Sequence, residues 1–170
     1  AADNFVTLFV ALEVMSLPLY IMAATARRRR QLSFEAALKY FVLGAFSSGF
    51  MLMGAALLFG FSNSLRISAL GSAISTNTDM DWMVLVGVLS VMVGLLFKVG
   101  AAPFHAWTPD VYTGAPTPVT GFMAAAVKVA AFAAMARFYQ AVAAYLQWDF
   151  LYVFAAVAVA TILVGTLSLI

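Results

Sequence analysis

Long apolar runs, separated by short polar segments, dominate the chain from one end to the other. A transmembrane helix needs about 20 mostly apolar residues. Five runs reach that length, at about residues 4–26, 34–61, 82–102, 116–146 and 150–170. No run alternates apolar and polar residues as the strands of a membrane barrel do. The pattern therefore predicts an all-α membrane protein with about five transmembrane helices, forming a single transmembrane domain over residues 1–170.

The third apolar run contains a predicted helix break. Gly100 and Pro103 interrupt it, and a short further segment follows before the fourth helix. Proline removes a backbone donor and clashes with the preceding turn, so it ends or kinks helices, and Pro18 predicts such a kink in the first run. Transporters use broken helices at mid-membrane to expose backbone to an ion path. Between the second and third runs, the polar segment SNSLRISALGSAISTNTDMD is predicted to be a loop.

Composition excludes several classes of protein. Hydrophobic residues make up 65% of the chain and charged residues 9%, against about 45–50% and about 25% in soluble domains. A soluble enzyme, a nucleic-acid binder and a disordered protein are therefore not expected. The sequence has no cysteine, which excludes disulfides, thiolate metal sites and thiolate-held iron–sulfur clusters. His105 is the single histidine, so haem ligation by two histidines is excluded as well.

A run of four arginines predicts the orientation of the helices. Short cytoplasmic loops of membrane proteins are enriched in lysine and arginine. We therefore expect this run to face the cytoplasm, and the start of the chain and the loop with Asp79 and Asp81 to lie on the other side. Binding of an anionic lipid is the alternative interpretation. The run comprises Arg27, Arg28, Arg29 and Arg30.

Four charged residues lie inside apolar runs: Glu13, Lys39, Lys98 and Lys128. An ionisable group deep in a bilayer costs about 2.5–3.5 kcal/mol on insertion scales, so such residues usually face a protein interior or a wet cavity. Glu13 is near the middle of its helix, and beside a lysine it would ionise. Lys98 precedes the helix break, where burial disfavours its ammonium form and the negative end of the half-helix favours it. A lysine balanced in this way can load and release a proton.

The remaining candidate residues differ in whether a structural role or a proton-transfer role is favoured. Lys128 lies deep among alanine, valine and phenylalanine and is interpreted as a proton site. Lys39 has Glu35 four residues before it, a spacing that stabilises helices, so structural and functional roles are equally supported. His105 follows the break, where its ordinary pKa of about 6.5 suits a relay, but packing is equally supported. Asp110 is interpreted as structural, as a cap or a loop contact.

The run FKVGAAPFHAWTPDVYTGAPTPVTGFMAAAVKVAAF, Phe97 to Phe132, resembles the antiporter-like membrane subunits of respiratory complex I, NADH:quinone oxidoreductase. The motif WTPDVY-x-GAPTPVT is most similar to the N subunits of that family. The segment LEVMSLPLY, around Glu13, resembles the family's fifth helix. The resemblance spans essentially the whole chain. It implies a fold of two inverted five-helix repeats. This chain would supply the first repeat without its first helix, together with the first helix of the second.

The resemblance also implies roles for individual residues. In this family a glutamate of the fifth helix pairs with a lysine of the broken seventh helix, which correspond to Glu13 and Lys98. Lys128 corresponds to the lysine of the eighth helix that takes the proton next, and His105 to a relay histidine. The ionisable residue of the second repeat is absent, so we expect this piece not to pump alone.

The resemblance further implies partners and excludes cofactors from this chain. The partners are other complex I membrane subunits, the lipid bilayer and protons, with no nucleic acid. NADH, FMN, iron–sulfur clusters and quinone are expected in partner subunits, because no glycine-rich dinucleotide turn occurs here. We expect a bacterial inner-membrane protein and a piece of a longer polypeptide. The alternatives are a cation/proton antiporter subunit, which would use the same lysines, and a passive membrane scaffold, in which the buried charges would be dispensable.

Overall fold

The structure of the protein is a computed structural model that describes residues 2–26, 29–76 and 82–167, except for the side chains of residues 143–150. Within these ranges the chain is helical and the prediction of an all-α fold is confirmed. The elements are α1 (Phe5–Ala23), α2 (Arg30–Ser62), α3 (Ile67–Thr76), α4 (Trp82–Val99), α5 (Trp107–Gly114), α6 (Thr117–Phe122), a π-helical turn (Met123–Val127) and α7 (Lys128–Leu167).

Among the described residues, four stretches of helix are long and apolar enough to cross a membrane: Phe5–Ala23, Arg30–Ser62, Trp82–Val99 and Thr117–Val142. They match the first four predicted runs to within a few residues. The short helix α5 follows the break after α4, as the sequence predicts. Leu151–Leu167 is a shorter apolar helix at the position of the fifth predicted run.

The chain differs from the prediction after residue 128. The sequence predicts separate helices over 116–146 and 150–170, whereas α7 continues without interruption from Lys128 to Leu167. The physical reason is the absence of a helix breaker, because no proline or glycine lies between Gly121 and Gly165. At about 1.5 Å per residue, its 40 residues extend to roughly 60 Å, twice the ~30 Å hydrocarbon core of a bilayer.

The second difference is α3, which forms inside the segment predicted to be a loop. Ile67 and Leu70 are buried and Ile74 packs against the same core. Their spacing of three and four residues places them on one face of a helix. Polar residues occupy the other face, so the mean polarity of the segment concealed an amphipathic helix.

Close contact between α2 and α4 forms the centre of the fold. A Cβ atom on Gly54 would come within 2.6 Å of the carbonyl oxygen of Gly87, and one on Gly94 within 2.7 Å of the Met51 Cβ. Small residues at a helix interface let two backbones approach closely, which is how helices commonly associate in membranes. This contact fixes the position of α4, whose last turn carries Lys98.

Polar contacts hold the two ends of α1. Asn4 caps the helix by accepting hydrogen bonds from the amides of Val6 at 2.9 Å and Thr7 at 3.2 Å. At the other end, the Ser33 hydroxyl donates to the carbonyl of Ala23 at 2.5 Å. Because Ser33 lies in the first turn of α2, this bond joins the end of α1 to the start of α2.

Candidate functional site

The helix break has the geometry of a glycine-terminated helix end. Gly100 has a φ of +77°, a left-handed conformation that glycine adopts readily. Its amide donates to the carbonyl of Phe97 at 3.0 Å, and the amide of Ala101 donates to Leu96 at 3.0 Å. This is the Schellman arrangement, which stops an α-helix and pairs its last carbonyls. The predicted break at Gly100 is therefore present, and Pro103 follows it in a turn before α5.

Lys98 is the buried charge at this break. It lies in the last turn of α4, and its side chain is 3% exposed. Its Nζ donates to the Ser16 hydroxyl at 2.6 Å, and that hydroxyl donates in turn to the carbonyl of Leu12 at 2.6 Å. A buried ammonium needs such partners, because an unpaired charge in an apolar interior is very costly. The structure thus supplies Lys98 with an acceptor from α1, the helix that also carries Glu13.

Glu13 approaches the same ammonium from one turn away along α1. Its Oε1 lies 4.0 Å from the Lys98 Nζ, and its side chain is 22% exposed. The Ser48 hydroxyl of α2 donates a hydrogen bond to the same carboxylate oxygen. Three helices therefore meet at one ion pair: α1 through Glu13, α2 through Ser48 and α4 through Lys98. The sequence places these charges far apart in the chain, and the fold brings them together.

The second lysine, Lys128, begins α7 directly after a π-helical turn, an irregularity that is frequent at functional sites. Its Nζ lies over the ring of Tyr112, 5.7 Å from the centroid. On the other side of the site, the Lys98 Nζ lies 5.9 Å from the centroid of Tyr20. Both distances are within the roughly 6 Å range of a cation–π contact.

Several buried polar atoms around the site have no hydrogen-bond partner in the described part of the chain. They are the hydroxyls of Tyr20, Ser47, Thr108 and Tyr112 and the Nδ1 of His105. Buried polar groups without a protein partner are commonly paired with internal water. His105 lies in the turn between the break and α5, with its side chain half-buried.

Lys39 belongs to a separate cluster. Its Nζ lies 2.6 Å from Glu35, as the spacing predicts, and 2.6 Å from Asp110. All three side chains are half-exposed, with Lys39 at 43%. Asp110 thereby ties α5 to α2, which agrees with its interpretation as a structural residue.

Other sequence candidates lie at the margins of the described structure. Arg27 and Arg28 fall outside the described residues, as do Asp79 and Asp81. Arg30 begins α2, and Arg29 is its N-cap residue. Pro18 lies inside α1, which remains helical from Phe5 to Ala23. Across the described residues, no group of three histidine, aspartate or glutamate side chains could hold a metal ion.

Sequence analysis missed the polar and aromatic residues that complete the site. Ser16 and Tyr20 follow Glu13 by three and seven residues, so helical periodicity alone places all three on one face of α1. That signal was available in the sequence. Nothing in the local sequence marks Ser48 or Tyr112, because each reaches the site only through the packing of α2 and α5.

Comparison with known proteins gives the family. The profile of the NADH:quinone oxidoreductase/Mrp antiporter transmembrane family matches residues 2–170. NADH-quinone oxidoreductase subunit N of Beutenbergia cavernae is 57% identical over 169 residues, which cover 98% of this chain and 31% of that protein. The chain thus spans about a third of the length of such relatives.

Solved structures agree with this assignment. A chain of respiratory complex I from Thermus thermophilus matches with 46% identity and a TM-score of 0.69, over 80% of this chain and 29% of that one. A chain of the Mrp complex from Dietzia matches with 28% identity and a TM-score of 0.83, over 97% and 30%. The fold is therefore that of part of an antiporter-like membrane subunit, and the chain belongs to the NADH:quinone oxidoreductase/Mrp antiporter transmembrane family.

Proposed function

We propose that the chain is part of a proton-translocating membrane subunit of NADH:quinone oxidoreductase, and that it moves protons through a relay of Glu13, Lys98, His105 and Lys128. The observation that carries this proposal is the buried ion pair at the helix break. The Lys98 ammonium is 3% exposed and lies 4.0 Å from Glu13. A buried charge pair is weak evidence for stability, because its desolvation cost is high, and buried charges inside membranes usually mark proton or ion paths.

The proposed sequence of events starts from the charged pair. Glu13 holds Lys98 in its ammonium form. When an electrostatic change elsewhere in the complex withdraws the charge of Glu13, Lys98 releases its proton towards Lys128, whose amine accepts it. His105, in the turn after the break, is proposed to carry the proton between them.

The sequence leaves two roles open for Lys39, one structural and one in the relay. Its contacts favour the structural role. Two carboxylates surround it, Glu35 and Asp110, and all three side chains are half-exposed. A relay group at the membrane centre would be shielded from solvent, as Lys98 is. We therefore propose that Lys39 holds α5 against α2 at the edge of the relay.

The redox chemistry is proposed to lie in other subunits. NADH, FMN, the iron–sulfur clusters and quinone would bind there, because the chain has no cysteine and no glycine-rich dinucleotide turn. Its partners are proposed to be the other membrane subunits of the complex, in the bacterial inner membrane. We propose the cytoplasmic side for the loop with the four arginines, following the enrichment of basic residues on that side.

The second candidate function is that of a cation/proton antiporter subunit. The observation that favours it is the match to the Mrp complex chain from Dietzia, with a TM-score of 0.83. The 57% identity to an NADH-quinone oxidoreductase subunit favours the first candidate, since the Mrp chain is 28% identical.

The decisive experiment is Lys98→Ala in the full-length parent subunit, assembled into the complex and reconstituted in sealed vesicles. NADH:quinone turnover and proton uptake are followed together. We expect both to fall by at least about tenfold while assembly stays normal, which corresponds to about 1.4 kcal/mol or more of barrier. Unchanged turnover and uptake would reject the relay and favour a scaffold. Cation-dependent proton movement without any response to NADH would favour the antiporter.

A further inference from the structure

A continuous row of aromatic rings runs between the buried Lys98 and the half-buried Lys128. The ring of Tyr20 contacts Tyr40 edge-to-face with centroids 4.6 Å apart. Tyr40 is stacked on Trp107 at 4.7 Å, and Trp107 contacts Tyr112 edge-to-face at 6.0 Å. All three separations fall in the range in which aromatic pairs attract each other. We call these four rings the aromatic bridge.

Each end of the aromatic bridge carries one lysine ammonium. The Lys98 Nζ lies 5.9 Å from the Tyr20 centroid, and the Lys128 Nζ lies 5.7 Å from the Tyr112 centroid. The face of an aromatic ring is negative and attracts a cation, but it has little attraction for a neutral amine. Each terminal ring therefore holds its lysine while the lysine is charged and loosens it when the proton leaves.

The inner rings make this arrangement stiff. Tyr40 is 1% exposed and Trp107 is 3% exposed. The indole Nε1 of Trp107 donates to the carbonyl of Phe97 at 3.1 Å, which joins the bridge to the residue next to Lys98. Tyr40 belongs to α2, and Trp107 and Tyr112 belong to α5. The short helix after the break thereby packs on α2 and is joined by a hydrogen bond to the end of α4.

We propose that Tyr20 and Tyr112 are positioning residues for proton exchange between Lys98 and Lys128, and that they act through their ring faces. The proposal rests on the proposed relay and extends it to two ring faces, which hold the charged lysines without taking up the transferred proton. The hydroxyls of both tyrosines have no hydrogen-bond partner in the described part of the chain. Substitution by phenylalanine removes the hydroxyl and keeps the ring face, whereas substitution by leucine removes both.

The test compares removal of the ring with removal of the hydroxyl in the full-length parent subunit within the intact complex. Tyr20→Leu and Tyr112→Leu are each expected to lower NADH-driven proton uptake by about tenfold, as the loss of a cation–π contact predicts. Tyr20→Phe and Tyr112→Phe are expected to retain most of it. The matched control is Tyr139→Leu. Tyr139 forms an edge-to-face pair with Phe154 at 5.4 Å and lies outside the bridge, and its variant is expected to pump normally.

A second series keeps the shape of the side chain and changes only its charge distribution. Phenylalanine with one, two or three ring fluorines is incorporated at position 20, because fluorine withdraws electrons from the ring face and weakens its attraction for a cation. We expect proton uptake to fall stepwise with each fluorine at position 20 and to stay constant with the same series at position 139. This series remains informative if a leucine variant fails to assemble.

Two results would overturn the positioning role. One is proton uptake that does not change with the number of fluorines at position 20. The other is an equal loss of proton uptake in the phenylalanine and leucine variants, which would assign the effect to the hydroxyl. Lys98→Ala in the same assay separates this inference from the proposed function. If Lys98→Ala pumps normally, the relay itself fails. If Lys98→Ala is inactive and the fluorinated variants all pump equally, the relay stands and the aromatic bridge does not position it.

Discussion

Lys98 and Glu13 form an ion pair with a hydroxyl beside it: the Lys98 Nζ is 4.0 Å from the Glu13 carboxylate and 2.6 Å from the Ser16 hydroxyl. The closer partner of the ammonium is therefore neutral. Glu13 itself accepts a hydrogen bond from Ser48. The two charges attract each other without a direct hydrogen bond, so the pair can separate without first breaking one between its members.

Ser16 is expected to matter to the relay almost as much as the charges do. Ser16→Ala removes the acceptor of a buried ammonium, a loss that typically costs about 1–3 kcal/mol. We expect lower thermal stability of the purified parent subunit and reduced coupled proton uptake by the complex. Ser75→Ala is the control, because Ser75 is exposed and its hydroxyl donates to the carbonyl of Ser72 in its own helix. Equal behaviour of the two variants would show that Lys98 does not depend on Ser16.

Glu13→Gln tests the charge of the pair while preserving its shape. The amide oxygen of glutamine can still accept from Ser48, so assembly is expected to be normal. Coupled proton uptake is expected to fall by at least about tenfold, because Lys98 loses the carboxylate that holds its proton. Glu35→Gln provides the matched control, since Glu35 is 59% exposed and its partner Lys39 keeps Asp110. A loss in Glu35→Gln equal to that in Glu13→Gln would contradict the assignment.

Lys39 is expected to be dispensable for proton movement. Ion pairs between exposed side chains contribute about 0–1 kcal/mol, and Lys39 and Asp110 are 43% and 50% exposed. We expect Lys39→Gln to lower turnover and proton uptake by no more than about twofold. Asp110→Asn is expected to give the same small change, since it breaks the same link between α2 and α5. A tenfold loss of uptake in Lys39→Gln would place this lysine in the relay.

The contact between α2 and α4 is expected to be intolerant of a single methyl group. Gly54→Ala would place its Cβ 2.6 Å from the carbonyl oxygen of Gly87, and overpacking of this kind typically costs about 1–3 kcal/mol. We expect a lower melting temperature and a lower yield of assembled complex. Gly49→Ala, on the same helix, would place its Cβ more than 4 Å from every described atom beyond its own stretch of α2. It is expected to be neutral or stabilising, because alanine favours helix by about 1 kcal/mol over glycine. Equal melting temperatures for the two variants would show that the interface is loosely packed.

The sequence was sufficient for the features that depend on hydropathy or on backbone chemistry. Apolar length predicted the first four spans, and Gly100 predicted the helix break. The sequence could not predict the site residues whose positions depend on how the helices pack against each other. Ser48 and Tyr112 are ordinary polar or aromatic residues of their helices, and only tertiary contact brings them to Glu13 and Lys128. The resemblance to a family gave the pairing of Glu13 with Lys98, which no local pattern contains.

Two predictions differ from the structure because they relied on the average polarity of a segment. The polar loop concealed α3, because its apolar residues share one face although the segment as a whole is polar. A boundary was expected between residues 146 and 150, whereas α7 is one helix from Lys128 to Leu167. A helix continues through polar residues when no proline, glycine or cap ends it, and α7 does so.

Asp3 anchors α3 to the start of α1, and its contribution to stability is expected to depend on pH. The Ser68 hydroxyl donates to its carboxylate at 2.7 Å, and Arg66 lies 3.3 Å away. Chiefly through the hydrogen bond from Ser68, these contacts lower the pKa of the Asp3 carboxyl below its ordinary value of 3.8. A carboxyl group with a lowered pKa in the folded state stabilises that state above the unfolded pKa, and the stabilisation is lost as pH falls through the folded pKa.

Asp3→Asn in the full-length parent subunit tests this dependence. Thermal unfolding in detergent is followed from about pH 6 to about pH 3 for both proteins. We expect the variant to melt at a lower temperature than the unmodified protein near neutral pH. The difference should narrow only below the ordinary value of 3.8, as the carboxylate of the unmodified protein takes up its proton. A constant difference across the whole range would mean that the charge of Asp3 does not hold α3 in place, and that its hydrogen bonds to Ser68 act equally well from a neutral side chain.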